Sequence, residues 1–407
     1  MSFVSRREFA GAAAITALAA TRVLGANERM RVGVIGCGGM ANGHMTDLIK
    51  NKEEDNVEIT AVCDIYQKRL DAANQKTGGK PFKDYRALLA DKDIDYVLIA
   101  TPEHWHYQMA LDAIAAVKHV YCEKPMTQTA EEAKKLYRVV KANPKIKFQV
   151  GVQGTSDESY AEAYKYVQDG TLGKVVLAQI DYSRNHLGDQ FFDMYPKGDG
   201  DIKPGENFDW NAWQGTRTKK PFEADRFLNW RRYYEYSNGI ASDLFVHRVT
   251  RIIKALNLGF PEYGCGAGGK FNWPQGKGDI PDTLNMLIDY PGGPTVQLVS
   301  SMANGKKVDH ILRGHKATLE FTNEGFTITP EAQYREGAKV IEYKKVGSES
   351  RELHHRNLMN AIRKGDPLNC DAELGYKAVA AVELGAMSFR KRKYMKWDAV
   401  KERVIPA

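Results

Sequence analysis

Long apolar runs are missing from this chain of 407 residues. The best candidate, Phe9 to Ala20, is mostly alanine and falls short of the about 20 apolar residues that cross a bilayer, so the mature chain is not expected to insert in a membrane. Cysteine is scarce. The five present, Cys37, Cys63, Cys122, Cys265 and Cys370, form no CxxC or Cys/His spacing, which speaks against a metal site and for small core residues in a protein that folds in a reducing compartment. Charge of one sign is also limited. The net charge of +7 is mild for this length, and the basic residues are scattered rather than striped, so nucleic acid is not expected as a partner. No internal repeat is visible.

What is present begins with "SRREFAGAAAITALAA", Ser5 to Ala20. Arg6 and Arg7 before a weakly apolar run and a small-residue stretch have the order of a bacterial signal peptide, and paired arginines before Phe9 point to the twin-arginine route. Residues 1–26 are therefore expected to be a leader and the mature protein to be periplasmic. No cysteine lies near the cleavage region, which argues against a lipoprotein. Because that route exports folded proteins, a cofactor could be loaded before export.

The length argues for two domains. "RVGVIG", "EITAVCD", "YVLIAT", "HVYCEKP" and "FQVGVQ" read as short buried strands, with helices such as "MANGHMTDLIK", "HYQMALDAIAAV" and "AEEAKKLYRVVKAN" between them. That alternation predicts an α/β domain over 29–150 with a parallel sheet and ligands beyond its strand carboxyl ends. After residue 150 come longer strands with alternating or β-branched content, "KVVLAQIDYSRN", "TLNMLIDY", "TVQLVSSMA" and "ATLEFTN". They predict an α+β domain over 151–407 built on a mainly antiparallel sheet. The glycine- and proline-rich "YPKGDGDIKPGENFDW" reads as a loop that wraps the site.

Gly36, Gly38 and Ala41 follow the form GxGxxA directly after the first strand. The first glycine permits the tight turn, the second lets a pyrophosphate approach the backbone, and the small third residue packs helix on strand. Asp64 closes the second strand, where a carboxylate accepts from ribose hydroxyls and repels a 2′-phosphate, so NAD is favoured over NADP; a helix cap is the alternative reading of Asp64. Arg69 nearby leaves the exclusion of NADP imperfect. Gly39 and Met40 in the loop, with Thr101 and Pro102 after the third strand, complete the expected cofactor contacts.

Taken together, "GVIGCGGMA", "TPEHWH", "EKP", "FDWNAWQGTRTKKPF", "YSNGIASDLFVH", "NLMNAIRKG" and "KWD" resemble the glucose-fructose oxidoreductase, inositol dehydrogenase and MocA family over essentially everything after Arg29. The resemblance implies a Rossmann domain followed by an open-faced antiparallel sheet that holds a sugar or cyclitol against the nicotinamide. It assigns Lys124 of the EKP motif to the reacting carbinol. The preceding strand delivers Lys124 to the sheet's ligand-binding edge, and a cation there can steady a developing alkoxide or relay its proton. Glu123 is read as positioning the lysine or binding cofactor. Asp243 and His247 match the family's DxxxH element; at i and i+4 they share one helix face, and His247 becomes the expected general base with Asp243 as its partner or a hydroxyl ligand. His106 closes the TPxxxH pattern and is expected near the nicotinamide ribose. Trp105 is a candidate sugar platform, and Arg231, Tyr234 and Tyr236 are candidate substrate contacts, whereas Trp210 and Trp213 are read as structural.

An exported enzyme of this kind would hold its NAD tightly and regenerate it on site. The expected function is thus an NAD-dependent oxidoreductase acting on a carbinol of a sugar, glycoside or cyclitol. The alternative is an NAD-dependent glycosidase working by transient oxidation, elimination and re-reduction. The family also leads one to expect a dimer or tetramer formed through the open sheet face.

Overall fold

The computed structural model describes residues 28–185, 201–347 and 349–407. The leader read in residues 1–26 lies outside them, as does part of the proline- and glycine-rich loop.

Six strands build the first sheet: β1 (Met30–Ile35), β2 (Val57–Cys63), β3 (Lys80–Phe82), β4 (Tyr96–Ile99), β5 (His119–Glu123) and β6 (Phe148–Gly151). Their order is β3-β2-β1-β4-β5-β6 and every pairing is parallel. β4 and β6 are buried at every residue, as expected of strands covered on both faces. The direction of winding reverses between β1 and β4, which opens a crevice beyond their carboxyl ends. The helix Gly39–Lys50 starts there, next to the turn after β4. The short strand β3 and the helix Tyr85–Leu89, capped by Asp84, carry too few apolar residues to show a period in the sequence.

The second sheet has ten strands: β7 (Val175–Asp181), β8 (Tyr263–Gly269), β9 (Thr283–Asp289), β10 (Thr295–Ser301), β11 (Ile311–Gly314), β12 (Ala317–Thr322), β13 (Gly325–Pro330), β14 (Ile341–Lys344), β15 (Met395–Asp398) and β16 (Arg403–Pro406). They lie in the order β14-β13-β12-β11-β7-β10-β9-β8-β15-β16. Only the β7 and β10 pair is parallel among the described registers. Along β9 and β10 every second residue is buried, so one face carries the core and meets the helices Val246–Leu256 and Ala372–Lys391. β8, "YGCGAGG", is glycine-rich because that long helix lies so close. A Cβ on Gly266 would sit 2.3 Å from the carbonyl oxygen of Gly385. Glycine is depleted in strands, which hides β8 from a propensity reading.

The late elements return to the first domain. Leu358 and Met359 of the helix Arg351–Lys364 pack under β1, while Tyr376, Val379 and Trp397 join the core behind β5 and β6.

Candidate active site

Beyond the carboxyl ends of the first sheet, and walled on the other side by residues of the segment 204–231, lies a cavity of about 720 Å³ that runs from Gly36, Gly38 and Asp64 to Lys124 and Arg231. At its first end the glycine loop does two different jobs. Gly36 sits at φ +84°, and a Cβ there would lie 2.8 Å from Thr101 Cγ2 and 3.0 Å from the Ala100 carbonyl oxygen, so turn and packing both demand glycine. A Cβ on Gly38 would meet only Arg69 Nη1, at 3.7 Å. Gly38 therefore leaves an open cradle beside the start of the helix Gly39–Lys50, whose N-cap has no side-chain hydrogen bond and whose first turn has no acid. Such a terminus favours an anion.

Asp64 lines the same end of the cavity. Its Oδ2 accepts from the backbone N–H of Cys37 and its Oδ1 from that of Tyr66, both at 2.8 Å. It thereby clamps the glycine loop to β2. Burial pushes its carboxyl up, against the pull of Arg69 and these N–H groups. Arg69, Lys83 and Arg86 also line this end, so the acid acts in a partly cationic setting. Gly39, Met40, Thr101 and Pro102 line the cavity as well. The fit to a dinucleotide rests on this arrangement: a backbone cradle without side chains, a helix terminus and a carboxylate at the end of β2.

At the far end β5 delivers Glu123 and Lys124, both lining the cavity; the Lys124–Pro125 peptide is cis. Lys124 Nζ donates to Asp243 Oδ1 at 2.7 Å and to the Asp243 carbonyl at 2.9 Å, and Arg231 Nε donates to the same Oδ1 at 3.0 Å. Burial opposes the charge on Asp243, but Arg231 and Lys124 win and hold its carboxyl far below the usual range. Asp243 does not line the cavity; it acts there through Lys124 and Arg231. The segment Ile240–Phe245 that carries it is a π-helix, which becomes the α-helix Val246–Leu256 just before His247. The simple i, i+4 face read from the sequence is thus interrupted by a wider turn. His247 is buried with its ring parallel to that of Tyr182, centroids 5.9 Å apart. Burial, then the charges of Lys124 and Arg251, hold its pKa well below the usual histidine value. Its imidazole does not line the cavity either.

Three further sequence expectations come out differently placed. His106 is buried away from the cavity wall. Its Nδ1 faces the Pro125 carbonyl at 2.7 Å and its Nε2 the Thr101 carbonyl at 2.9 Å, so in place of a ribose contact it ties the turn after β4 to the turn after β5. Tyr236 is completely buried, edge-on to Trp213 with centroids 4.6 Å apart, inside an aromatic cluster with Tyr66, Phe208 and Phe227. This corrects its reading as a substrate contact: a loop tyrosine cannot be told from a core tyrosine by its neighbours in sequence. Trp105 does line the cavity, with Nε1 donating to the Trp213 carbonyl at 2.7 Å. Tyr234 lines a separate, smaller pocket with Gln128 and Arg390. Trp210 and Trp213 stack on each other at 5.0 Å and also wall the main cavity.

Glu103 went unnoticed in the sequence. It is buried at the start of the helix Glu103–Ala115, accepts from Ser237 Oγ at 2.6 Å, and is pushed up to about 7 by burial. Its place inside the TPEHWH stretch was the only available signal.

Comparison with known proteins bears on the whole arrangement. Residues 30–152 match the model of an oxidoreductase family's NAD-binding Rossmann fold, and residues 207–397 match that family's C-terminal alpha/beta domain. The chain belongs to this oxidoreductase family. An inositol 2-dehydrogenase of Salmonella paratyphi B is 30% identical over 150 residues, covering 36% of this chain and 44% of that protein. The chain thus matches less than half the length of that curated relative. Among solved structures, an oxidoreductase domain protein from Kribbella flavida superposes with a TM-score of 0.71 at 19% identity, covering 91% of this chain and 99% of the other. A levoglucosan dehydrogenase solved with NADH and levoglucosan gives 0.68 at 18% identity, with 90% and 99% covered. At these identities the structural likeness speaks for the fold.

Proposed function

We propose that the protein is an NAD-dependent oxidoreductase acting on a carbinol of a sugar, glycoside or cyclitol. The observation that carries this reading is the single cavity joining the Gly36 and Gly38 cradle to Lys124. The family membership and the dehydrogenase relatives support it. Bound at the cradle, a nicotinamide dinucleotide would supply the hydride acceptor. The chain's own residues supply the rest. Lys124, buried and anchored to Asp243, offers a fixed cation to the oxygen of the carbinol, where an alkoxide develops. His247, neutral and buried behind the cavity wall near Lys124, would take the hydroxyl proton by way of Lys124. Arg231 and Trp105 bound the space for the ring. Asp64 favours NAD over NADP.

The leader read in residues 1–26 adds export with the cofactor already bound. Val176, Leu287 and Tyr394, exposed on strands or at the edge of the second sheet, support assembly of copies through that face.

The test is to purify the protein without added nucleotide, denature it and identify any released cofactor by mass. Bound NAD near one per chain, followed by growth of the reduced-nicotinamide band on titration with sugars and cyclitols, is the expected result. A chain that neither carries nor binds NAD would overturn the reading. Release of nitrophenol from a nitrophenyl glycoside without added cofactor would replace it with the redox glycosidase.

A further inference from the structure

Behind Glu123 runs a line of buried hydrogen bonds that the proposed reaction does not use. Glu123 Oε1 lies 2.9 Å from His44 Nε2, His44 Nδ1 lies 2.8 Å from His355 Nε2, and His355 Nδ1 lies 3.3 Å from the Tyr96 hydroxyl. His44 and Tyr96 are completely buried and His355 is 1% exposed. The four residues come from the helix Gly39–Lys50, β4, β5 and the helix Arg351–Lys364. A carboxylate only accepts, so His44 Nε2–H must donate to Glu123 whether or not Nδ1 also bears a proton. With Nδ1 bare it accepts from His355 Nε2–H, whose own Nδ1 accepts from Tyr96.

Packing fixes the rings as firmly as the hydrogen bonds do. His355 stacks on Tyr121 at 4.3 Å and His44 meets the same ring edge-on at 5.3 Å. Gly151 pairs with Glu123 across β5 and β6, and a Cβ there would lie 2.8 Å from Glu123 Oε1. The carboxylate occupies the space that the glycine leaves. Its other oxygen accepts from the Lys124 backbone N–H at 3.2 Å.

We propose that His44 and His355 are positioning residues for Glu123, keeping an N–H on its Oε1 so that a bound dinucleotide meets a carboxylate of fixed orientation and charge at the cavity wall. The inference rests on the dinucleotide reading above. The groups that face Glu123 are His44, Lys124, His106, Tyr121, Cys122 and His354. Burial pushes its carboxyl up, but the His44 hydrogen bond and the charges of His44 and Lys124 bring it below the usual value. Without His44 burial gains ground, and the carboxyl takes a proton at higher pH.

The experiment is NADH binding by fluorescence titration at about pH 6 and about pH 8, with thermal melting to confirm folding. For His44→Leu we expect affinity to fall by at least about threefold between the higher and the lower pH as Glu123 takes up a proton more readily, while the wild type changes by less than about twofold. His44→Gln, whose amide nitrogen and oxygen can take both ring positions, should restore affinity to within about threefold of wild type. His355→Phe keeps the ring on Tyr121 and removes only the nitrogens, so it should weaken binding by about twofold to threefold. In a Glu123→Gln background, His44→Leu should cost nothing further. A folded His44→Leu protein with the wild-type pH dependence, or one whose effect adds in full to that of Glu123→Gln, would overturn this inference alone. If His44→Leu does not fold, His44→Gln and His355→Phe decide in the same way: wild-type affinity in the first with weaker binding in the second supports the chain, and equal loss in both overturns it. A wild-type protein that binds no NADH would overturn the dinucleotide reading and this inference with it.

Discussion

Asp243→Asn offers the sharpest test of the buried cluster behind the cavity. The substitution keeps the shape of the side chain and removes the charge that Lys124 Nζ meets at 2.7 Å and Arg231 Nε at 3.0 Å. Asp243 and Lys124 are each 7% exposed, so water cannot replace the lost partner. Opposite charges about 4 Å apart attract by about 4 kcal/mol at an effective dielectric of 20, and one-sided removal of a buried pair costs about 3–5 kcal/mol. We therefore expect Asp243→Asn to lose about 3–5 kcal/mol of stability, read as a shift in guanidinium unfolding followed by tryptophan fluorescence. Asp243→Asn with Lys124→Met removes two of the three charges and leaves Arg231, so it should recover part, but less than all, of that loss. The pH dependence has a definite sign. A carboxyl held far below its usual range contributes its stability at every pH above the unfolded value of about 4 and gives it up only as the solution becomes more acid. The gap between wild type and variant should thus be the same at about pH 5 and about pH 8. A loss of less than about 1 kcal/mol, the scale of an exposed ion pair, would refute the reasoning and mean that the cluster is solvated.

Two glycines of one loop should fail in different ways. Gly36→Ala drives a Cβ against Thr101 and the Ala100 carbonyl at a positive φ and should cost at least about 1–3 kcal/mol of stability, measured by denaturation; Gly38→Ala has room in the fold and should melt like wild type while NADH affinity drops by about tenfold or more. Glu103, pushed up to about 7, holds a proton in the folded chain that the unfolded chain has already lost, so stability falls as pH rises from about 4.5 to about 7. Glu103→Gln should remove that slope and be the more stable protein at about pH 8 by up to about 3 kcal/mol; an unchanged slope would count against it. Since His247 stays neutral well below the usual histidine range, its titration should contribute no limb near pH ~6.5 to kcat/KM. A limb there that disappears in His247→Asn would contradict this.

Local chemistry was readable without coordinates. The alternation of short buried strands with helices announced the parallel sheet because β1, β4 and β5 are largely apolar, whereas the three-residue β3 was too short to show. Gly36 and Gly38 were legible because a tight turn and a backbone cradle each exclude side chains. Asp64 was legible from its place at the end of β2, although its clamp on the Cys37 and Tyr66 backbone was not. β8 escaped notice since its glycines answer to the helix Ala372–Lys391, which lies far along the chain. Tyr236 and Arg231 looked alike in sequence, yet one is sealed in an aromatic cluster and the other walls the cavity.

The sequence by itself determined the Rossmann turn, the period of the strands and the arrival of Lys124 at a strand end, because each depends on residues within a few positions of one another. Tertiary structure alone decided which buried polar groups became partners. His44 and His355 stand 311 positions apart, and neither ring shows in its own segment any sign of the other. Burial makes an unpaired polar group expensive wherever it lies, so its partner is set by the elements that folding brings into reach.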